Sequence, residues 1–241
     1  MQTYIVTTKE EARLKLTQEL NSSLKEVHKD NKPFLLLVSG GSAFDLFPDI
    51  SLDNFGSLAT VGVLDERYST DPKENNMAQF MQTTFYAALK AKNVQFIDTT
   101  VQGEETGEEH AKRFDRSLSD WKKNNPDGVI FAIVGIGPDA HTSGILPFPE
   151  NPSLFSKLFE NPDALVVHYD ADGKNPYRYR STTTNIFLRN YIDYAFVYAV
   201  GVNKKDALTR LAAKEGSLAE TPARILREMK SVALFTDVSL Q

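Results

Sequence analysis

Along most of this chain, short runs of continuous apolar residues alternate with longer segments in which apolar residues recur every three or four positions. Continuous apolar runs over 33–38 and 128–135 are typical of strands that are buried on both faces of a parallel sheet. Between residues 8 and 28, apolar side chains recur at spacings of three and four, which predicts an amphipathic helix. The same patterns predict further strands over 3–6, 59–64, 94–97, 164–169, 193–200 and 231–237, and further helices over 77–90, 104–123 and 203–213.

This alternation of strands and helices predicts an α/β fold: a mostly parallel, doubly wound sheet with helices on both faces. No internal repeat, low-complexity tract or Pro/Gly/Ser-rich linker divides the chain. We therefore expect a single domain over residues 1–241.

Composition and charge narrow the classes of partner. The chain is 41% apolar and 24% charged, which is ordinary for a globular protein, and its formal net charge is −5. Because no basic stripe is present, we expect no nucleic-acid partner, and an anionic substrate needs a few local cations.

The absence of cysteine excludes disulfides and thiolate chemistry and is consistent with a reducing compartment. The start of the chain lacks a signal-peptide pattern, and the longest apolar stretch is about half a membrane span, so we expect a cytoplasmic protein with no membrane contact.

Parallel sheets carry their binding sites at the carboxyl ends of the strands, so we expect the functional residues in the loops that follow strands. The first is Ser39-Gly40-Gly41-Ser42, which follows a buried strand and opens a short helix. Free backbone N–H groups at such a position attract anions. No Lys-Ser or Lys-Thr follows the glycines, so this is not a P-loop. The segment is either an ordinary tight turn or a phosphate site.

Three further segments bring charge to strand ends. Residues 65–67 read Asp-Glu-Arg and form either a solvated cluster or a phosphate grip, for which the planar fork of Arg67 is suited. The segments 173–187 and 200–208 each place cations beside a strand end. Arg178 is interpreted as plain surface charge.

The segment 131–148 superficially matches the glycine fingerprint of dinucleotide-binding proteins. Pro138 falls inside the fingerprint, and Pro147 and Pro149 end any following helix after about two turns. The acidic residue that normally follows some 20 positions later is also missing. We therefore disfavour a nicotinamide cofactor, and His141, which follows a strand end and a glycine-rich turn, becomes a candidate for proton transfer.

The other histidines predict no metal site. They never pair at ligand spacing, and no His-Glu-x-x-His pattern occurs. His28 is expected at a helix C-terminus, His110 on a solvated helix, and His168 as a satisfied core residue on a strand.

Five segments, in chain order, resemble those of the 6-phosphogluconolactonase family, which shares a fold with glucosamine-6-phosphate deaminases. They are Ser39-Gly40-Gly41-Ser42, Asp65-Glu66-Arg67 with Asn76, the run from Gly135 to Thr142 with Pro147, Arg180-Ser-Thr-Thr-Thr184, and Gly201-Val-Asn-Lys204. Two departures stand out. The glycine that the family places before the histidine is Ala140 here, and Ser143-Gly144 replaces an Ala-Ser pair.

The resemblance implies hydrolysis of 6-phospho-D-glucono-1,5-lactone to 6-phosphogluconate, a step of the pentose phosphate pathway. A lactone carbonyl is electrophilic enough for attack by activated water, so neither metal nor cofactor is expected. His141 is the expected proton-transfer group, Asp139 is expected to orient it or a loop, and Arg180 or backbone N–H groups are expected to stabilise the oxyanion. The phosphate is assigned to Arg67, Lys204 and the amides of residues 40–42, and Asp65 to loop orientation.

Alternatives to the lactonase stay open at this stage. A glucosamine-6-phosphate deaminase-like enzyme is one, although the Ile-Ala-Phe-Asn-Glu-Pro continuation of that class is absent. A non-catalytic sugar-phosphate-binding protein is another. The sequence leaves open whether Arg178 or Arg180 faces the cleft, and whether the protein is a monomer or a small homo-oligomer.

Overall fold

The computed structural model describes residues 1–239. The strands are β1 (Gln2–Ile5), β2 (Phe34–Val38), β3 (Ala59–Val63), β4 (Asp65–Arg67), β5 (Gln95–Phe96), β6 (Val129–Gly135), β7 (Val166–Asp170), β8 (Tyr179–Thr183), β9 (Tyr194–Tyr198) and β10 (Val232–Thr236). The α-helices are α1 (Lys9–Lys29), α2 (Asn76–Met81), α3 (Thr84–Ala91), α4 (Gly107–Asn124), α5 (Pro152–Phe159), α6 (Asn185–Tyr191) and α7 (Lys205–Ala212). Short 3₁₀ helices cover Gly41–Asp49, Leu52–Asn54, Val202–Lys204 and Pro222–Arg227. Within the described residues, no helix combines the length and apolar character that crossing a bilayer requires.

Seven strands form one sheet in the order β1-β10-β9-β6-β2-β3-β5, and every neighbouring pair is parallel. Strand β2 shows why both faces are covered, because all five of its residues are buried. Leu35 and Leu37 pack into a core with α4–α7 on one face, and Leu36 packs into a core with α1–α3 on the other. The predicted single-domain α/β fold with a mostly parallel sheet is confirmed.

Three short polar and amphipathic strands form a separate antiparallel sheet in the order β4-β8-β7. The hydrophobic pattern predicted β7 but not its separation from the main sheet, and it predicted neither β4 nor β8. Both missed strands are rich in charged and hydroxyl side chains, so they lack an apolar period. Their pairing places Asp65 opposite Thr182 and Arg67 opposite Arg180, which brings two of the motif segments side by side.

Threonine side chains that cap helix N-termini explain why two of the predicted helix boundaries were wrong. The predicted helix over 77–90 is two helices, because the Thr83 hydroxyl accepts the Tyr86 N–H and begins α3. Helix α4 begins at Gly107 rather than at 104, because Thr106 and Glu109 form a capping box there.

The predicted start of the last helix is also wrong. Asn203, at which the predicted helix begins, lies inside the 3₁₀ turn Val202–Lys204, and α7 begins only at Lys205.

His110 is fully buried, so its predicted place on a solvated helix face is wrong. It belongs to the buried stripe of α4 that also carries Phe114 and Leu118. Its Nε2 lies 2.8 Å from the carbonyl oxygen of Thr99, and its Nδ1 lies 2.9 Å from the Ser181 hydroxyl. The neutral ring, with Nε2 as donor and Nδ1 as acceptor, satisfies both contacts.

This buried histidine makes stability sensitive to acid. Burial lowers the pKa of His110 and outweighs the hydrogen bond to Thr99, which raises it. Because the unfolded chain takes up this proton near pH 6.5 and the folded chain does not, the contribution is complete above that pH and is lost as the pH falls below it. We expect the loss to reach at most about 1.4 kcal/mol per pH unit.

The measurement is urea unfolding between pH 7.5 and 5 on the wild type and on His110→Gln, which keeps a donor and an acceptor. Burial also raises the pKa of Glu66 to about 8, which gives an opposing slope in both proteins. The difference between the two profiles therefore isolates His110, and parallel profiles would contradict the prediction.

Candidate active site

A cleft of about 170 Å³ lies at the carboxyl ends of β2 and β6. The chain leaves β2 toward β3 and β5 on one side and returns through β6 to β9 and β10 on the other, so this is where the strand order reverses. Such reversal points open the crevice in which doubly wound folds bind ligands. Seven of the nine predicted site residues line the cleft: Gly40, Ser42, Asp65, Arg67, His141, Arg180 and Lys204.

The other two predicted residues lie beside the cleft. Asp139 contacts His141 rather than the cleft itself. Gly41 is exposed with a φ of +65° and turns the chain into the 3₁₀ helix Gly41–Asp49, so its backbone is not part of the cleft wall.

His141 and Asp139 form a close pair. The Nδ1 atom of His141 lies 2.5 Å from Oδ1 of Asp139, and the backbone N–H of His141 donates to the same oxygen at 3.2 Å. Burial raises the pKa of Asp139, but the hydrogen bonds and charge of His141 outweigh it and hold the pKa below its usual value. An ionised Asp139 holds the proton on Nδ1, which leaves Nε2 as an acceptor in the neutral ring.

The glycine-rich loop fixes this pair sterically. The His141 ring packs directly on Gly137, where a Cβ atom would lie 2.1 Å from Nδ1. Ala140 has a φ of +69°, so the position does require the left-handed conformation, which costs a residue with a Cβ on the order of 1 kcal/mol. Hydrogen bonds from Ala140 to the Gly137 carbonyl and from Ala223 to the Ala140 carbonyl, both 3.0 Å, hold that conformation.

Ser143 and Gly144 continue the loop along the cleft. Both have positive φ, +48° and +73°. Gly144 passes so close to Asp65 that a Cβ atom would lie 2.6 Å from the Asp65 Cβ, so a side chain does not fit here without a shift. The Ser143 hydroxyl is buried in the cleft wall and has no hydrogen-bond partner within residues 1–239.

Arg180, and not Arg178, faces the cleft. Its side chain is only 5% exposed, and one of its terminal nitrogens lies 2.9 Å from Oδ2 of Asp65, which is 7% exposed. Burial lowers the pKa of Arg180, but Asp65 outweighs this effect and the pKa is raised, so the buried guanidinium stays charged. Arg178 is exposed and pairs with Asp170 on the outer end of the small sheet.

Arg67 and Lys204 are the cleft cations without a carboxylate partner in the part of the chain that the structure describes. The Arg67 guanidinium donates to the carbonyl oxygen of Glu74 at 3.3 Å and stacks on the ring of Tyr177. Burial lowers the pKa of Lys204 and outweighs Asp139, which raises it. Two cationic side chains that no described carboxylate neutralises therefore border one small cleft.

Unpaired polar atoms concentrate here. Six buried side-chain nitrogens and oxygens lack a hydrogen-bond partner among the described residues. Four of the six belong to cleft residues: Arg67 Nε, Asn76 Oδ1, Ser143 Oγ and Arg180 Nε. Because buried polar atoms are nearly always hydrogen-bonded in folded proteins, the concentration of these four at one cleft indicates a place for ordered water or a polar ligand.

Asn76 is a buried polar cleft residue that was not among the predicted site residues. Its Nδ2 donates to the Asp65 carbonyl oxygen at 2.9 Å, so its Oδ1 is left without a partner beside Gly40. Glu66 holds it in place by accepting the backbone N–H groups of Asn76 at 2.5 Å and Met77 at 2.9 Å. The only sequence signal was its place at the end of the Asp-Glu-Arg block. No group of three or more His, Asp or Glu side chains that could hold a metal ion occurs in residues 1–239.

Comparison with known proteins identifies the class. The family model described as glucosamine-6-phosphate isomerases/6-phosphogluconolactonase matches residues 7–235. The chain therefore belongs to this family. A 6-phosphogluconolactonase of Borreliella burgdorferi is 29% identical over 108 residues, which is 45% of this chain and 42% of that protein. The match thus spans less than half the length of that relative.

Solved structures share the fold along the whole chain. A 6-phosphogluconolactonase of Shewanella baltica has a TM-score of 0.76 at 23% identity, with 98% of this chain and 97% of that one covered. The 6-phosphogluconolactonase of Plasmodium vivax has a TM-score of 0.75 at 16% identity, covering 99% and 91%. At these identities the likeness establishes the fold.

Proposed function

We propose that this protein hydrolyses 6-phospho-D-glucono-1,5-lactone to 6-phosphogluconate with a water molecule activated by His141 and without a metal ion. One observation carries the proposal: His141, which is paired with Asp139, shares a small cleft with two cations that have no carboxylate partner among the described residues. A proton-transfer group beside a free anion site is the combination that a phosphorylated ester substrate needs. The family membership supports the same reaction.

In this mechanism Nε2 of His141 takes a proton from the attacking water as its oxygen bonds to the lactone carbonyl carbon. Asp139 keeps the ring in the required tautomer and stabilises the imidazolium that forms. The imidazolium then returns the proton to the ring oxygen as the bond from the carbonyl carbon to that oxygen breaks. The product is the open-chain carboxylic acid, and all atoms and charges balance.

The developing oxyanion needs hydrogen-bond donors that are already in place. Arg180 supports this role, because Asp65 fixes its guanidinium while its Nε remains unpartnered at the cleft. The other donors that we propose are backbone N–H groups of the glycine-rich loops along the cleft; those of Gly135 and Gly137 already donate to Ser39 and His141. Fixed donors in a water-poor site stabilise such charge strongly because they need no reorganisation during the reaction.

The phosphate is assigned to Arg67, Lys204 and the backbone at Gly40 and Ser42. These groups line the cleft, and neither cation is neutralised by a carboxylate in the described structure. Gly41 lies outside the cleft wall, so we narrow the predicted amide cradle of residues 40–42 to its two ends.

The direct test follows freshly made lactone in the presence of the purified chain, after treatment with a chelator, and counts only the excess over spontaneous opening. We expect catalysed hydrolysis that the chelator does not reduce. Release of ammonia from glucosamine 6-phosphate would instead identify a deaminase. Binding of sugar phosphates with no turnover of either compound would identify a non-catalytic binding protein.

Arg67→Ala is expected to raise KM for the lactone by about 10- to 100-fold with a much smaller change in kcat. The reason is that a charge-assisted hydrogen bond to a remote phosphate, worth about 1.5–3 kcal/mol, contributes equally before and during the reaction. Steady-state kinetics on both variants checks this, with Arg178→Ala as the matched control because that arginine lies on the outer surface. An unchanged KM would remove Arg67 from the phosphate site.

A cytoplasmic location, the lack of a nucleic-acid partner, and a monomer or small homo-oligomer stay predictions.

A further inference from the structure

The loop between β7 and β8 places Tyr177 against Arg67, which lines the cleft. The ring centroid of Tyr177 lies 3.9 Å from the guanidinium carbon of Arg67, which is direct stacking contact. A comparable pair on the outer surface, Arg178 and Tyr179, is separated by 5.2 Å. We propose that Tyr177 is a positioning residue that acts through Arg67 and thereby sets the affinity of the cleft for phosphorylated substrates; this inference rests on the proposed function.

The loop holds Tyr177 in a defined place. Asn175 accepts the backbone N–H of Tyr177 through its Oδ1 at 3.0 Å, which closes a tight turn, and the same oxygen accepts from Arg180 at 3.4 Å. Lys174 pairs with Glu150 and lies over the ring of Phe148, with its Nζ 4.6 Å from the ring centroid. The loop is therefore tied both to the protein surface and to the second cleft arginine.

Arg67 has few other restraints on its guanidinium. One terminal nitrogen donates to the Glu74 carbonyl oxygen at 3.3 Å, its Nε is buried without a partner, and no carboxylate pairs with it in residues 1–239. With one face of the planar group covered by an aromatic ring, rotation of the fork is restricted while its donor edge stays free. A phosphate that binds an already oriented fork loses less free energy to side-chain ordering.

The ring, and not the hydroxyl, is the active part of Tyr177. The structure gives the Tyr177 hydroxyl no hydrogen bond among the described residues, whereas the ring contacts the cation. Tyr177→Phe should therefore retain the effect. Tyr177→Leu keeps apolar bulk but lacks the electron-rich face that attracts a cation, so it should behave as Tyr177→Ala does.

The experiment uses the full chain and measures KM and kcat for the lactone, and the Kd of inorganic phosphate and of 6-phosphogluconate by calorimetry. We expect Tyr177→Ala and Tyr177→Leu to raise KM and both Kd values about threefold to tenfold, with kcat within about twofold of the wild type. Tyr177→Phe should restore all of these values. Tyr179→Ala, the same change two residues along the chain, should leave them unaltered.

A double-variant cycle shows whether the effect passes through Arg67. In an Arg67→Ala background, Tyr177→Ala should have no further effect on either Kd. Equal and additive losses would overturn the proposal, as would a fall in kcat at unchanged KM or an unchanged Kd in Tyr177→Ala.

The same measurements distinguish a failure of the lactonase proposal from a failure of the Tyr177 proposal. If the wild type binds phosphate with the expected dependence on Tyr177 but does not open the lactone, the lactonase function is refuted and the role of Tyr177 is supported. A wild type that neither binds nor hydrolyses refutes both.

Discussion

Replacing His141 by Ala is expected to lower kcat for lactone hydrolysis by about 10²- to 10⁴-fold, because the group that moves the proton is lost. The fold should survive, since the His141 side chain is 29% exposed and contributes little to either hydrophobic core. Stopped-flow kinetics on fresh lactone, corrected for spontaneous opening, gives the rate, and thermal unfolding tests the fold.

His28→Ala is the matched control, because it removes an exposed histidine in the last turn of α1 that is not among the residues lining the cleft. We expect it to keep wild-type kcat. Asp139→Asn should give an intermediate loss, since the ring stays in place but loses the carboxylate that sets its tautomer. Wild-type turnover in His141→Ala would show that another group moves the proton.

Replacing Asp65 by Ala is expected to cost about 3–5 kcal/mol of unfolding free energy, the largest stability effect among these predictions. The carboxylate is the partner of Arg180, and the two side chains are 7% and 5% exposed. Removing it leaves a guanidinium that is held in the protein interior without compensation. Urea unfolding at pH 7 measures the loss, and activity should fall as well because Arg180 loses its fixed orientation.

The chain offers a matched control in Asp170→Ala, which breaks the exposed pair with Arg178, where the side chains are 39% and 55% exposed. Solvent screens that pair, so we expect little or no change in stability. Combining Asp65→Ala with Arg180→Met should recover part of the lost stability, because it removes the uncompensated charge. Equal effects of Asp65→Ala and Asp170→Ala would contradict the buried-pair argument.

Most of the main sheet could be predicted because its signal is local. Residues 34–38 and 129–135 are apolar along their whole length, which is typical of a short strand covered on both faces. The boundaries of helices α3 and α4 could not be predicted from periodicity, because single threonine caps decide them. His110 was misjudged because the acidic residues before it outweighed its place on the buried stripe of α4.

The candidate site shows the same difference between features encoded by adjacent residues and features that depend on tertiary contacts. The loops after β2 and β6 were recognisable from their glycines and from His141, since chemistry and turn conformation are encoded within a few residues. Tyr177 carried no such signal, and the signal for Asn76 was only its place at the end of the Asp-Glu-Arg block. Their importance depends on which neighbours satisfy their hydrogen bonds or lie against their rings, and this is a property of the folded chain.

The sequence by itself determined a parallel α/β sheet and the glycine-rich and charged loops that follow its strands, and it predicted His141 as the proton-transfer group, because each of these depends on residues that are close together in the chain. Only the tertiary structure decided that Arg180 and not Arg178 faces the cleft. That choice rests on β4 pairing with β8, which joins Asp65 to a partner 115 positions away. Short polar strands have no hydrophobic period of their own, so their pairing is set by the surfaces they are packed against.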